Sequence, residues 1–150
     1  MAHSYSHCLF HCVWSTKGRQ NTIPPAVQDR LWAYLGGIAR ENGFSALAVG
    51  GTRDHVHALL ALPATMPVSK AVQLLKAGSS KWLHDSDEEL GTFAWQEGYG
   101  AFSIGVSQKD DTIRYIAHQA EHHAADGFEG EYTAFLRRHE IDYDPRYVFG

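Results

Sequence analysis

Phe44–Val49 and His55–Leu62 (HVHALLAL) are two apolar runs of strand length separated only by Gly50-Gly51-Thr52-Arg53-Asp54. A glycine pair followed by polar turn residues reverses a chain sharply, so the two runs pair as an antiparallel hairpin. Side chains on a strand alternate between faces. Val56, Ala58, Leu60 and Leu62 therefore share one side of the second run, and His55 and His57 share the other. The apolar side belongs against helices.

The segments around this hairpin supply those helices. His7–Trp14 (HCLFHCVW) reads as a strand with Cys8, Phe10, Cys12 and Trp14 on one face. Pro24-Pro25 suits a helix start, and Val27, Leu31, Leu35 and Ile38 mark its apolar stripe up to a stop at Gly43. Pro63 and Pro67 precede a second helix striped by Val68, Val72, Leu75, Ser79 and Trp82. Phe93–Trp95 and Ala101–Val106 read as short strands about the Gly98-Tyr99-Gly100 turn. Asp110–Ala125 reads as a third helix and Tyr132–His139 as a short fourth. The order predicts an α+β fold, a ferredoxin-like split β-α-β-β-α-β antiparallel sheet with a further helix after it. Two helices would cover one face and leave the face bearing His55 and His57 for something else to cover. The chain has 150 residues and neither repeat nor linker, so residues 1–150 are expected to form a single domain.

Composition narrows the function classes. Seventeen acidic side chains against thirteen basic give a net charge of −4. That balance excludes unspecific coating of duplex DNA, though not a local nucleic-acid site. No apolar run approaches the ~18 residues of a membrane span, and the N-terminus has no signal-peptide pattern, so the expected location is cytoplasmic and no membrane partner is expected. Cys8 and Cys12 lie four residues apart on one strand, ~13 Å, beyond the ~7 Å limit for a disulfide.

His55 and His57, ~7 Å apart at Cα, suit convergence on one metal ion; a half-exposed pair with no ligand role is the alternative. On the third helix, Ile113, Ile116, Ala117, Ala120 and Ala124 form the apolar stripe, while Tyr115, Gln119 and His122 lie on another side. Tyr115 and Gln119 would thus be presented together one turn apart, or would belong to a solvated polar face. Joined, two imidazoles and an amide oxygen make a three-ligand set suited to Mg²⁺ or Mn²⁺. Such an ion polarises a phosphodiester, and a phenol beside it can attack the phosphorus to form a covalent intermediate.

Four segments together resemble the single-tyrosine HUH transposases of small bacterial insertion sequences, with the REP-associated tyrosine transposases as close relatives. They are Phe10-His11-Cys12-Val13-Trp14-Ser15-Thr16-Lys17-Gly18-Arg19, Gly51-Thr52-Arg53-Asp54-His55-Val56-His57, Trp95-Gln96-Glu97-Gly98-Tyr99-Gly100-Ala101-Phe102-Ser103 and Tyr115-Ile116-Ala117-His118-Gln119-Ala120-Glu121-His122-His123. The resemblance implies a homodimeric DNA-strand transferase of ferredoxin-like fold whose additional C-terminal helix carries the nucleophile. It implies metal ligands at His55, His57 and Gln119 and a nucleophile at Tyr115. It also implies cleavage and rejoining of single-stranded DNA at hairpin-marked element ends through a 5′-phosphotyrosine. A hairpin-binding relative without catalysis, and a phosphodiesterase with no covalent intermediate, are the alternatives.

Further candidates carry less. His11 shares a face with the imidazole pair and suits a supporting role. His118 and His122 flank Gln119 as competing or phosphate-contacting groups. Tyr99 is a rival nucleophile without a metal ligand nearby. Lys17, Arg19, Arg53, Lys70, Lys76 and Lys81 are the candidate DNA contacts, and an exposed tryptophan would suit stacking on an unpaired base.

Overall fold

The computed structural model describes residues 3–149, with the side chains of 120 and 122–126 outside the description. Its elements are β1 (Cys8–Ser15), α1 (Pro25–Glu41), β2 (Ser45–Gly51), β3 (His55–Leu62), α2 (Val68–Ser86), β4 (Gly100–Ile104), α3 (Lys109–Ala117) and α4 (Gln119–Arg138). The four strands form one sheet in the order β2-β3-β1-β4, every neighbouring pair antiparallel. This is the split β-α-β-β-α-β arrangement expected from the sequence.

One face packs on α1 and α2. Cys12 and Trp14 of β1 and Val56, Ala58 and Leu60 of β3 bury against Leu31 and Leu35 of α1 and Val72 and Leu75 of α2. These are the residues the strand alternation and helical stripes select. Lys76, a candidate DNA contact, is spent here: its ammonium donates to the carbonyls of Gln96 and Gly98 at 2.8 and 2.6 Å. Burial lowers its pKa to about 8.

The second face, which the sequence leaves for something other than α1 and α2 to cover, is covered by α3 and α4. Ile116 of α3 packs with Leu9 and Leu59, while Phe128, Tyr132, Phe135 and Leu136 of α4 pack with Val13 and Phe102. The expected third helix, 110–125, breaks at His118, whose φ of −111° and ψ of 30° are not helical. The chain resumes as α4, turns at Gly127 with φ 69° and ψ 165°, and runs on to Arg138, so the short helix expected at Tyr132–His139 is the second half of α4. Positive φ is the conformation glycine adopts without strain, so Gly127 redirects the chain while the apolar spacing from Phe128 onward restores a helix. The expected strand at Phe93–Trp95 reduces to one bridge, Thr16 to Trp95. Ala94 accepts the Lys17 amide and Ser15 the Gln96 amide, both at 2.9 Å, and the Gln96 side chain accepts the Ser15 amide at 2.6 Å. Among the described residues no helix is long and apolar enough to cross a membrane.

The seat of α3 on the sheet depends on a missing side chain. A Cβ at Gly50 of β2 would lie 2.5 Å from the backbone oxygen of Ile116. Gly50→Ala is therefore expected to push α3 off the sheet and cost about 1–3 kcal/mol, read as a lower urea midpoint. An unchanged midpoint would show that α3 does not rest on this strand.

Candidate functional site

The turn before β3 fixes the first imidazole. Asp54 Oδ1 lies 2.7 Å from His55 Nδ1, and the Thr52 hydroxyl donates to the same carboxylate oxygen at 2.9 Å. A carboxylate at Nδ1 settles the ring's orientation and leaves Nε2 directed outward. Nε2 meets the Gln119 side-chain oxygen at 2.9 Å and Glu131 Oε1 at 3.5 Å.

His57, two residues on, projects from the same face. Its Nδ1 is 2.7 Å from His11 Nε2, and its Nε2 is 2.8 Å from Glu131 Oε1. The register places Val13 opposite His57 and Leu59 opposite His11, so the two imidazoles are diagonal neighbours on β1 and β3. Burial, reinforced by His57, holds the His11 pKa well below the usual histidine range. His11 is thus a neutral partner that orients His57. Both His55 and His57 are 0% exposed. They face away from the α1–α2 core, as strand alternation requires, but lie under α3 and α4.

Tyr115 and Gln119 stand either side of the break at His118 and still converge. The Tyr115 hydroxyl donates to Glu131 Oε2, and the Gln119 amide nitrogen lies 3.5 Å from the same oxygen. The Tyr115 ring is 5.7 Å from that of His57, centroid to centroid. Burial and the Glu131 carboxylate raise its pKa, so the resting group is a phenol.

Glu131 is the residue that sequence reasoning missed, and it sits at the centre. Burial alone would raise its pKa. The hydrogen bond and charge of His57, the Tyr115 hydrogen bond and the charge of His55 outweigh that and hold it at about 2. The sequence held one signal for it: an acidic residue within the apolar series Phe128, Tyr132, Phe135, on the face that packs inward. Because its folded value lies below the ordinary 4.5, its stabilising contribution is complete above pH 4.5 and is lost as pH falls toward 2. The urea midpoint of the metal-free protein, minus that of Glu131→Gln, is expected to shrink over that window. A constant difference would show that the carboxylate is not held by its neighbours.

The donor set fits a divalent cation. Ligand atoms of His55, His57 and Glu131 all lie within 4.8 Å of one another, and the Gln119 oxygen adds a neutral donor beside His55 Nε2. Two imidazoles with carboxylate and amide oxygens is a borderline-to-hard set of the kind Mg²⁺, Mn²⁺ or Zn²⁺ accepts. His118 takes no part: it is exposed, with its Nδ1 2.7 Å from the Arg114 carbonyl. Tyr99 packs against the α1–α2 core, with the Lys76 ammonium 5.9 Å from its ring. Arg19 pairs with Glu129 at 2.9 Å, whereas Lys17, Arg53, Lys70 and Lys81 are exposed. The His122 side chain lies outside the described residues.

Known proteins share this framework. Transposases of insertion sequence element IS200 from Salmonella typhimurium and Salmonella typhi are each 27% identical over 126 residues, 81% of this chain and 82% of theirs. A Deinococcus radiodurans protein designated a transposase has the same fold, with a TM-score of 0.62 and 24% identity over 79% of this chain and 96% of its own. So does a REP-associated tyrosine transposase bound to a REP hairpin, with a TM-score of 0.58 and 12% identity over 86% and 75% of the two chains. The sequence profile described as "Transposase IS200 like" matches residues 4–119, a span that holds His55, His57, Tyr115 and Gln119 and ends short of Glu131. With three quarters of its length inside that match, the chain belongs to the IS200-like transposase family.

Proposed function

We propose that the protein cleaves and rejoins single-stranded DNA, with Tyr115 as nucleophile and with His55, His57, Glu131 and Gln119 holding Mg²⁺ or Mn²⁺. One observation carries the reading: the Tyr115 hydroxyl and the His57 imidazole share the Glu131 carboxylate. Nucleophile and cation donors are therefore joined in one cluster of one chain. The cation, when bound, supplies positive charge for the scissile phosphate and the departing 3′-oxygen.

The side chains do the remainder. Asp54 and His11 orient the two imidazoles, and α3 and α4 keep bulk water from them. Glu131 holds the phenol by its proton at Oε2. That hydrogen bond puts Glu131 on the path by which the phenol proton leaves. The Tyr115 oxygen bonds to phosphorus, the P–O3′ bond breaks, and the proton lost by the phenol equals the one gained by the 3′-hydroxyl. Rejoining reverses the step, so the phosphotyrosine conserves the bond energy without ATP. This chemistry fits the hairpin-marked ends and homodimer implied by the family resemblance.

The test is incubation of the Mn²⁺-loaded protein with single-stranded DNA from the gene's own flanks, resolved on a denaturing gel. A protein–DNA adduct and a free 3′-hydroxyl product are expected. Free product without adduct would indicate a hydrolase, and retarded but uncut DNA a binding module. Because Tyr115 meets the histidine pair of its own chain, mixing Tyr115→Phe with His57→Ala subunits is expected to restore no adduct. Recovery would mean that Tyr115 serves a neighbouring subunit.

A further inference from the structure

A cavity of about 430 Å³ is lined by Tyr115 and Glu131. Gln108, Asp111 and Thr112 at the start of α3 and Ala134, Phe135 and Arg138 of α4 also line it. The Phe135 ring is held by stacking on Phe102 at 5.3 Å, and the Arg138 guanidinium stands 5.3 Å from its centre. Four of these residues (Glu131, Ala134, Phe135 and Arg138) lie beyond the segment shared with the family profile.

We propose that this cavity receives the nucleoside adjoining the scissile phosphate, with Arg138 holding a backbone phosphate at the rim. The inference rests on the single-strand transferase reading and adds to it the site that seats the strand. The volume falls near the lower end of small-molecule pockets, roughly 300–1,000 Å³, which suits one nucleoside and excludes a duplex. A base enters such a space only when unpaired. The chemistry of the walls agrees. Phe135, largely buried, offers only an apolar contact, Gln108 and Thr112 offer polar groups to a base edge, and the exposed guanidinium suits a phosphate. The scissile phosphate lies at Tyr115, so the strand's next phosphate falls to Arg138 and the sugar and base between them to the cavity. Adjacency to Tyr115 makes the occupant the neighbour of the bond that breaks.

Ala134 is exposed on α4, so Ala134→Trp adds a ring over the cavity while leaving the histidine cluster untouched. The probe is a mixed-sequence single-stranded tetranucleotide, titrated into the Mg²⁺-loaded protein and followed by NMR shifts of Thr112, Ala134 and Arg138. Saturable binding is expected, weakened at least tenfold by Ala134→Trp. Arg138→Ala is expected to weaken it several-fold and to reduce the salt dependence by roughly 0.7 in log–log slope, one phosphate contact. Absence of binding by the wild type, or equal binding by Ala134→Trp, would overturn the proposal. The flank-DNA gel reports separately on Tyr115: binding that Ala134→Trp blocks, with no adduct in the wild type, sinks the transferase reading and leaves the nucleoside site standing.

Discussion

Tyr115→Phe is expected to abolish the covalent protein–DNA adduct, a loss on the order of 10⁴–10⁶-fold in cleavage, the range for removing a residue that acts at the reacting bond. The substitution removes one oxygen and little else. The phenyl ring keeps its packing against His11, His57 and Phe135, whose centroids lie 6.1, 5.7 and 5.9 Å from its own. Glu131 loses a donor but keeps His57 and Gln119, so the stability cost is about 1 kcal/mol. Retention of a DNA hairpin in a gel-shift assay is expected to be nearly unchanged, which separates loss of chemistry from loss of binding. An adduct that persists in this variant would move the nucleophile elsewhere. Tyr99 is a poor heir, because it packs against the α1–α2 core with the Lys76 ammonium over its ring.

The hairpin, the two-faced strands and the imidazole pair were legible in the sequence because each depends on spacing within a few residues. Alternation along HVHALLAL fixes which side chains share a face, whatever packs on them. Tyr115 and Gln119 were legible for the same reason, and the break at His118 leaves both on Glu131. What was not legible is long-range. The residues that roof the histidines begin with Phe128, after a glycine whose positive φ interrupts the helical period, and Gly130 adds a second loop signal. Only Tyr132–His139 reads as helix, so Phe128 and Glu131 fall in the unassigned stretch before it, 74 residues from the imidazole that Glu131 binds. Asp54 is a similar case. Its turn is local, whereas its grip on His55 Nδ1 appears only once the strand places that ring. Lys76 shows the converse, since a cation on a helix reads as a surface contact until three carbonyls from another segment close around it.

His57→Ala tests whether cation site and fold share one cluster. The imidazole is fully buried and bridges His11 and Glu131 at 2.7 and 2.8 Å. Its removal opens a cavity and leaves an ionised carboxylate beneath α4 without its chief partner. Breaking one side of such a buried pair costs about 3–5 kcal/mol, most of it the penalty of the stranded charge. Mn²⁺ binding, followed by calorimetry, is expected to disappear, and the adduct with it. The double variant His57→Ala/Glu131→Ala separates these effects. With no carboxylate left to strand, it is expected to be less destabilised than the two single changes summed, while Mn²⁺ binding stays absent. Strict additivity, or Mn²⁺ titrating into His57→Ala as it does into the wild type, would show that His57 and Glu131 act independently and would dismantle the donor set on which the cleavage chemistry depends.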